Sequence, residues 1–202
     1  MPEDEDRLQK AFRQFDEANR TDPNTETHDG RTYPKELLYA KRMTAWLERL
    51  EPDASTAVQL AARSQHLCRW EIPRDRYPRD RDGYRRWRSD LADFHAETAG
   101  RMLREVGYND SMIERVQSLL RKQRLKADPD CQLLEDVICL VFLEYYFNDF
   151  AEEHDEPKLI GILRRTWKKM SPRGHQAALK LKFPPTAEAL VQNAIAGEAG
   201  EA

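Results

Sequence analysis

Apolar residues recur at helical spacing along most of this chain, and no segment shows the sustained alternation typical of a strand. The pattern predicts helices at about 5–19, 35–50, 53–70, 83–106, 111–123, 129–150, 156–170, 172–182 and 186–196. The helix at 129–150 is apolar almost all round, so we expect it to be the core helix. The sequence therefore predicts an all-α protein, a bundle of about eight or nine helices.

Residues that favour helix ends support these bounds. Asp53 is expected to cap the third helix. The fifth helix is expected to begin with Asp110 as its cap or with a capping box formed by Ser111 and Glu114. Pro34 is expected at the first position of the second helix, and Ser171-Pro172 begins a later one. Gly107 is expected to end the helix at 83–106 by adopting a left-handed backbone conformation.

The connections predict one domain. The longest polar connection, TDPNTETHDGRTYP at 21–34, is expected to be a loop, and no linker is long enough to divide two domains. We expect a single all-α domain over 1–196 and a frayed tail over 197–202, which is rich in Ala, Gly and Glu.

Composition narrows the class of protein. The chain has 202 residues, 40% of them hydrophobic and 34% charged, with a formal net charge of −3. No apolar run reaches the roughly 20 residues that cross a bilayer, and the acidic start MPEDEDR is unlike a signal peptide. The three cysteines have no metal-finger spacing, which favours reduced thiols. We therefore expect a cytoplasmic protein with no membrane segment.

Three ionisable residues interrupt apolar helix faces. His66, His95 and Asp136 each fall on a different predicted helix, and Asp136 is followed directly by VICLVFL. A buried carboxylate is costly unless it is paired or bound to a metal, so the three predict one shared polar pocket. Two imidazoles and a carboxylate are suitable ligands for a divalent transition metal such as Mn, Fe, Zn or Ni. The alternative is a structural His–Asp pair, because charge-assisted hydrogen bonds are strong in a buried site.

Other ionisable groups are interpreted as surface. His28-Asp29 has the letters of a metal-binding doublet, but it lies in the turn-forming TETHDG stretch. His154, within EEHDEP, is treated in the same way.

A basic segment follows the first of the three pocket residues. Residues 74–88 carry seven arginines against three aspartates, with tyrosine and tryptophan between them. Guanidinium groups bind phosphate oxygens bidentately, so the segment predicts an anion-binding rim. The predicted ligand-binding residues are Arg69, Trp70, Arg74, Arg88 and, at the start of a later helix, Arg173. The alternative is a solvated, salt-bridged surface.

Most of the chain resembles one family. The stretches that carry the resemblance are DPNTET, PKELLYAKRM, QHLCRWEIPR, YRRWRSDLADFHAE, LEDVICLVFLEYYF and RRTWKKMSPRGH. They resemble a family of bacterial and fungal proteins known as domain of unknown function 4202. That resemblance implies no particular activity.

The order of helices is more distantly similar to the HD superfamily of metal-dependent phosphohydrolases. The resemblance places His66 at the doublet histidine, His95 at a further histidine and Asp136 at the last aspartate. Tyr39 stands where the first histidine belongs and Leu67 where the doublet aspartate belongs. The residues that could substitute as ligands are Glu36, Glu71 and Glu97.

The leading hypothesis is an HD-like helical protein that binds, and as a metal-dependent phosphohydrolase cleaves, a phosphorylated small molecule or nucleotide. Its predicted catalytic residues are Asp136, His66 and Glu71, and its predicted metal ligands are His66, His95 and Asp136. One alternative is a non-catalytic module that binds RNA or a nucleotide through its arginines and aromatics. The other is a helical adaptor that binds a protein partner.

Overall fold

The structure, a computed structural model, describes residues 2–199, with the side chains of residues 3–194. Its helices are α1 Pro2–Asn19, α2 Lys35–Leu50, α3 Thr56–Ser64, α4 Arg81–Val106, α5 Asp110–Leu120, α6 Pro129–Tyr145, α7 Phe147–Glu152, α8 Glu156–Lys169, α9 Pro172–Ala178 and α10 Pro185–Ala199. Two single 3-10 turns stand at Arg69–Glu71 and Arg74–Arg76. The predicted all-α class is confirmed.

One element was not predicted. The segment expected to be a loop at 21–34 contains the strands β1 Thr25–His28 and β2 Arg31–Pro34, which pair antiparallel with His28 opposite Arg31. The turn residues Asp29 and Gly30 both have positive φ, 49° and 72°, as a two-residue hairpin turn requires. The Asp-Gly dipeptide was the sequence signal for this hairpin.

Several helix ends differ from the prediction. Ser55, not Asp53, caps α3 by accepting the Val58 N–H, and Asn109 caps α5 by accepting the Met112 N–H. Pro34 stands just before α2 rather than in its first turn. Gly107 has φ 96° and ends α4 as predicted.

Several predicted helices are shorter than expected, among them the one predicted at 172–182, which ends at Ala178. The third ends at Ser64, not near residue 70, and the chain continues through turns in which Cys68 has φ 53°. The predicted helix 129–150 is interrupted at Tyr146 and continues as α7, whose buried Phe147 packs edge-on against Phe142. Part of the predicted frayed tail, up to Ala199, belongs to α10, and 200–202 lie outside the described residues.

The chain divides into two compact units, Met1–Cys131 and Gln132–Ala202. A compact unit need not fold alone, so the single domain over 1–196 stays a prediction. No described helix is both long enough and apolar enough to cross a membrane.

The first unit is built around α3, which packs against α1, α2 and α5, while α4 packs against α1 and α5. Its fully buried large side chains are Phe15, Met43, Leu47, Leu60, Leu67, Leu103, Ile113, Leu119 and Leu120. Because Ala61 and Ala62 are small and completely buried, they allow close approach of neighbouring helices to α3. This packing fixes the chain that follows α3, which carries Gln65 and His66.

The second unit contains most of α6 together with α7 to α10, and α10 packs against α7 and α8. α9 is fixed by its first residues: Ser171 caps it, as predicted, and Pro172 follows in the first turn. The His175 ring, on α9, stacks on Trp167 of α8 with centroids 3.8 Å apart and planes 4° apart.

Candidate functional site

His66 lies against the first turns of α2. Its Nδ1 is 3.0 Å from Glu36 Oε2, and its ring stacks on Tyr39 with centroids 3.9 Å apart. Glu36 and Tyr39 are three residues apart, so they present their side chains on one face of the helix. The imidazole and the buried carboxylate form a hydrogen-bonded pair.

Asn19 and Asp22 position this pair. Asn19 is completely buried, and its Oδ1 accepts the Cys68 N–H at 2.9 Å, which accounts for the left-handed backbone of Cys68. The Asn19 Nδ2 donates to the Glu36 carbonyl at 3.4 Å, and Asp22 Oδ2 accepts the Glu36 N–H at 2.9 Å. The end of α1 therefore fixes both the start of α2 and the turn that carries His66.

Arg69 occupies the other side of His66. Its Nη1 lies 3.0 Å from His66 Nε2 and 3.2 Å from Nδ1, and its guanidinium lies 5.1 Å from the centroid of the Trp87 ring. With Glu36 ionised, His66 donates from Nδ1 to the carboxylate, which leaves Nε2 as the unprotonated nitrogen beside the Arg69 guanidinium. Both nitrogens of His66 are therefore engaged by protein groups.

Burial sets the protonation state of this pair. It lowers the pKa of His66 well below its ordinary value, and Arg69 and Arg88 lower it further. Burial also raises the pKa of Glu36, although the positive charges of Arg69 and Lys35 oppose this. His66 is therefore neutral at physiological pH.

His95, on α4, is also neutral but only partly satisfied. It is 3% exposed, and its Nδ1 donates to the Leu67 carbonyl at 2.8 Å. Burial and the neighbouring His66 lower its pKa to about 3, against the smaller raising effect of the bond to Leu67. The remaining nitrogen, Nε2, is buried and has no hydrogen-bond partner among the described residues.

His66 and His95 line one cavity of about 270 Å³ in the first unit. Its other lining residues are Gln65, Arg88, Ser89, Leu91, Ala92, Asp93, Leu120, Arg121 and Lys122. Three cations thus face the cavity against one carboxylate, Asp93, which accepts from Arg121 Nε at 2.7 Å. Within the described residues Arg88 forms no ion pair. The Oε1 of Gln65, a residue that is 7% exposed, is a second buried acceptor with no described partner.

The remaining predicted residues of the arginine segment do not line this cavity. Arg74 donates to the carbonyls of Tyr77 and Pro78 at 2.9 and 2.7 Å, so its guanidinium holds the loop. Trp70 is half-buried in the 3-10 turn Arg69–Glu71, and the side chain of Glu71, a predicted catalytic residue, is exposed.

Asp136 lies in the second unit, buried as predicted with 2% exposure. Its Oδ1 accepts the Ser171 N–H at 2.7 Å and a Gln132 Nε2–H at 3.1 Å, and its Oδ2 accepts the Ser171 hydroxyl. A Cβ on Gly174 would stand 2.8 Å from the Asp136 carboxyl, so only glycine fits there. The carboxylate thus holds the start of α9, and the predicted ligand-binding Arg173 lies exposed on that helix.

These surroundings do not fit a divalent metal at the predicted ligands. The Arg69 guanidinium stands at His66 Nε2 and would repel a cation, and both oxygens of Asp136 are hydrogen-bonded within the second unit. In the part of the chain that the structure describes, no group of three or more His, Cys, Asp or Glu side chains is arranged to hold a metal ion. We therefore assign no chemical step to a metal.

Sequence reasoning missed several residues that build the site. Gln65, Arg121 and Asn19 carried no motif and no break in the apolar pattern. Lys122 had only the weak signal of the short basic stretch Lys122–Lys126, and Glu36 appeared only as a substitute metal ligand. The positions that matter here are fixed by turns after helices, which periodicity does not locate.

Comparison with known proteins gives a family without a reaction. Neither the curated proteins nor the solved structures yield a match to this chain, so the likeness to the HD superfamily stays a prediction. The family model described as Domain of unknown function (DUF4202) matches residues 9–191, which include both compact units almost completely. The chain belongs to the DUF4202 family.

Proposed function

We propose that this protein binds a phosphorylated small molecule or a nucleotide in the cavity that His66, His95 and Arg88 line. The observation that carries the proposal is the charge of the walls, where Arg88, Arg121 and Lys122 face one carboxylate beside two imidazoles. Because both histidines are neutral throughout the physiological pH range, the positive charge of the walls comes from the arginines and the lysine.

Physical chemistry favours a phosphate over other anions at this place. Guanidinium groups donate two parallel hydrogen bonds to phosphate oxygens, and a lysine adds a point charge. Arg121 is already held by Asp93, so its direction is fixed before a ligand enters. Arg88 has no carboxylate partner among the described residues, and a bound phosphate would be an anionic acceptor for its guanidinium.

Calorimetric titration at low salt tests the proposal. Ribose 5-phosphate and adenosine monophosphate are expected to bind, while ribose does not, and affinity should fall as salt rises. Arg88→Ala should weaken binding by about tenfold or more, the value of one charge-assisted hydrogen bond. The matched control is Arg85→Ala, because Arg85 is exposed on the same helix, pairs with Asp82 and does not line the cavity.

Two results would overturn the proposal. One is that neither phosphorylated probe binds the wild-type protein at millimolar concentration. The other is that both Arg88→Ala and Arg85→Ala leave the affinity unchanged, which would place any binding elsewhere.

Hydrolysis is the second candidate function, and the Glu36–His66 pair favours it. A carboxylate that fixes the tautomer of an imidazole is typical of a general base. Because Arg69 engages His66 Nε2, such a role requires Arg69 to turn onto the ligand. Phosphate release from ribose 5-phosphate that Glu36→Gln abolishes would support it, and no release by the wild-type protein would remove it while leaving the binding proposal intact.

A further inference from the structure

Two hydrogen-bond acceptors on residues that line the same cavity have no donor among the described residues. They are His95 Nε2 and Gln65 Oε1, and neither atom has a partner within the described residues. Both residues are more than nine-tenths buried. A buried acceptor left without a donor is unfavourable, so two of them on residues of one cavity indicate that a bound group supplies the donors.

Hydrogen bonds fix the tautomer of His95 and the backbone of Gln65. Because His95 Nδ1 donates to the Leu67 carbonyl, Nε2 is the unprotonated nitrogen and accepts only. Its pKa of about 3 keeps this nitrogen unprotonated over the physiological range. Gln65 stands at the C-terminal cap of α3, where its N–H bonds to the Ala62 carbonyl and fixes its backbone.

The charge of the cavity decides what kind of donor fits. An ammonium group would meet the positive field of Arg88, Arg121 and Lys122, so a charged donor is disfavoured. A hydroxyl is a neutral donor and avoids this repulsion.

The size and lining favour a sugar over a base. Among the described lining residues none is Phe, Tyr or Trp, so a base would have only the two imidazoles and the guanidinium groups to stack on. Its volume of about 270 Å³ lies below the range of drug-sized ligand sites, roughly 300–1,000 Å³, and suits a compact ligand.

We infer that the ligand is a phosphorylated sugar or polyol whose hydroxyl groups donate to His95 Nε2 and Gln65 Oε1 while the cations hold its phosphate. The inference rests on the proposed function and assigns it a substrate class. It makes His95 and Gln65 the residues that select for hydroxyls.

A pair of probes with equal charge separates the two contributions. Ribose 5-phosphate carries both phosphate and hydroxyls, and pentyl phosphate carries the phosphate on a five-carbon chain without hydroxyls. Calorimetric titration of the full chain is expected to give at least tenfold tighter binding of ribose 5-phosphate, which corresponds to about 1.4 kcal/mol.

Two variants test which residues create the preference. His95→Asn keeps a donor for the Leu67 carbonyl and removes the Nε2 acceptor, and Gln65→Met keeps the length of the side chain and removes its oxygen. Each should reduce the preference for ribose 5-phosphate over pentyl phosphate several-fold. Circular dichroism confirms folding, and if one variant is unfolded the other decides the question.

The outcomes distinguish this inference from the proposed function. Equal affinity of the wild-type protein for the two probes would refute hydroxyl selection, with water satisfying the two acceptors, while phosphate binding stands. A preference for ribose 5-phosphate that survives in the folded variants would also refute the assignment. If neither probe binds, both the inference and the proposed function fail.

Discussion

Replacing Asp136 with alanine should destabilise the protein through the start of α9. The substitution removes the acceptor of the Ser171 N–H and of the Ser171 hydroxyl, and that of one Gln132 N–H. Asp136 is 2% exposed, so water replaces these bonds poorly. At about 1–3 kcal/mol for each donor left without a partner, and with some relaxation, we expect a loss of about 2–4 kcal/mol.

A double-mutant cycle with Gly174 makes this prediction specific. Gly174→Ala places a methyl group 2.8 Å from the Asp136 carboxyl, so it should also destabilise the protein. In the Asp136→Ala background the same methyl group enters vacated space, so its cost should fall by about 1 kcal/mol or more. Coupling energies between contacting residues are of this order.

Urea unfolding followed by circular dichroism gives the free energies of the cycle. Hydrogen exchange of the peptide at 171–179 shows whether the loss is local to α9. If Asp136→Ala lies within about 0.5 kcal/mol of wild type, the capping role is wrong. If the two substitutions are additive, the close approach of Gly174 to the carboxylate is not what makes glycine necessary.

Two further predictions concern the first unit and the glycines. Because the pKa of His95 is about 3 in the folded protein and about 6.5 when unfolded, the unfolded state binds more protons between these values. The free energy of unfolding should therefore fall as pH decreases from 6.5, by up to about 1.4 kcal/mol per pH unit. Urea titrations at pH 5, 6 and 7 should show that it depends less on pH in His95→Asn than in the wild-type protein. An equal slope in the variant would contradict the low pKa. Gly83→Ala should lower the melting temperature, because its Cβ would lie 2.2 Å from the Pro78 carbonyl oxygen, whereas Gly161→Ala in α8 should raise stability by roughly 0.5–1 kcal/mol. If both substitutions stabilise the protein, or both destabilise it, this interpretation of the two glycine environments is wrong.

The helices could be predicted because burial of one face dominates their sequences. Leu38, Met43, Trp46 and Leu47 lie on the apolar side of α2, and its bounds at 35–50 agree with the structure. The hairpin at Thr25–Pro34 could not be found in this way, because its strands are half exposed and carry no apolar alternation. Its Asp-Gly dipeptide is typical of a hairpin turn, but the dipeptide alone does not show which flanking residues pair.

The candidate site was predictable only in part. Burial of His95 and Asp136 followed from their apolar neighbours, and both are buried. Their partners did not follow, since a hydrogen bond such as that from Ser171 to Asp136 joins residues 35 positions apart and depends on how the intervening chain folds. His66 was expected on a helix face, but α3 ends two residues earlier, and its environment is set by Asn19 and Glu36.

A polar residue in an apolar pattern is thus an incomplete indicator of function. Asp136 and His66 both break such a pattern, and the fold gives each of them hydrogen-bond partners. Buried polar groups are paired as a rule, so a satisfied one is accounted for by stability alone. His95 Nε2 and Gln65 Oε1 differ because their residues lie on a cavity among cations and the described chain offers them no donor. A ligand is therefore expected where the described residues leave buried acceptors unpaired, and Gln65, His95 and Arg88 are better targets for experiments than the satisfied residues.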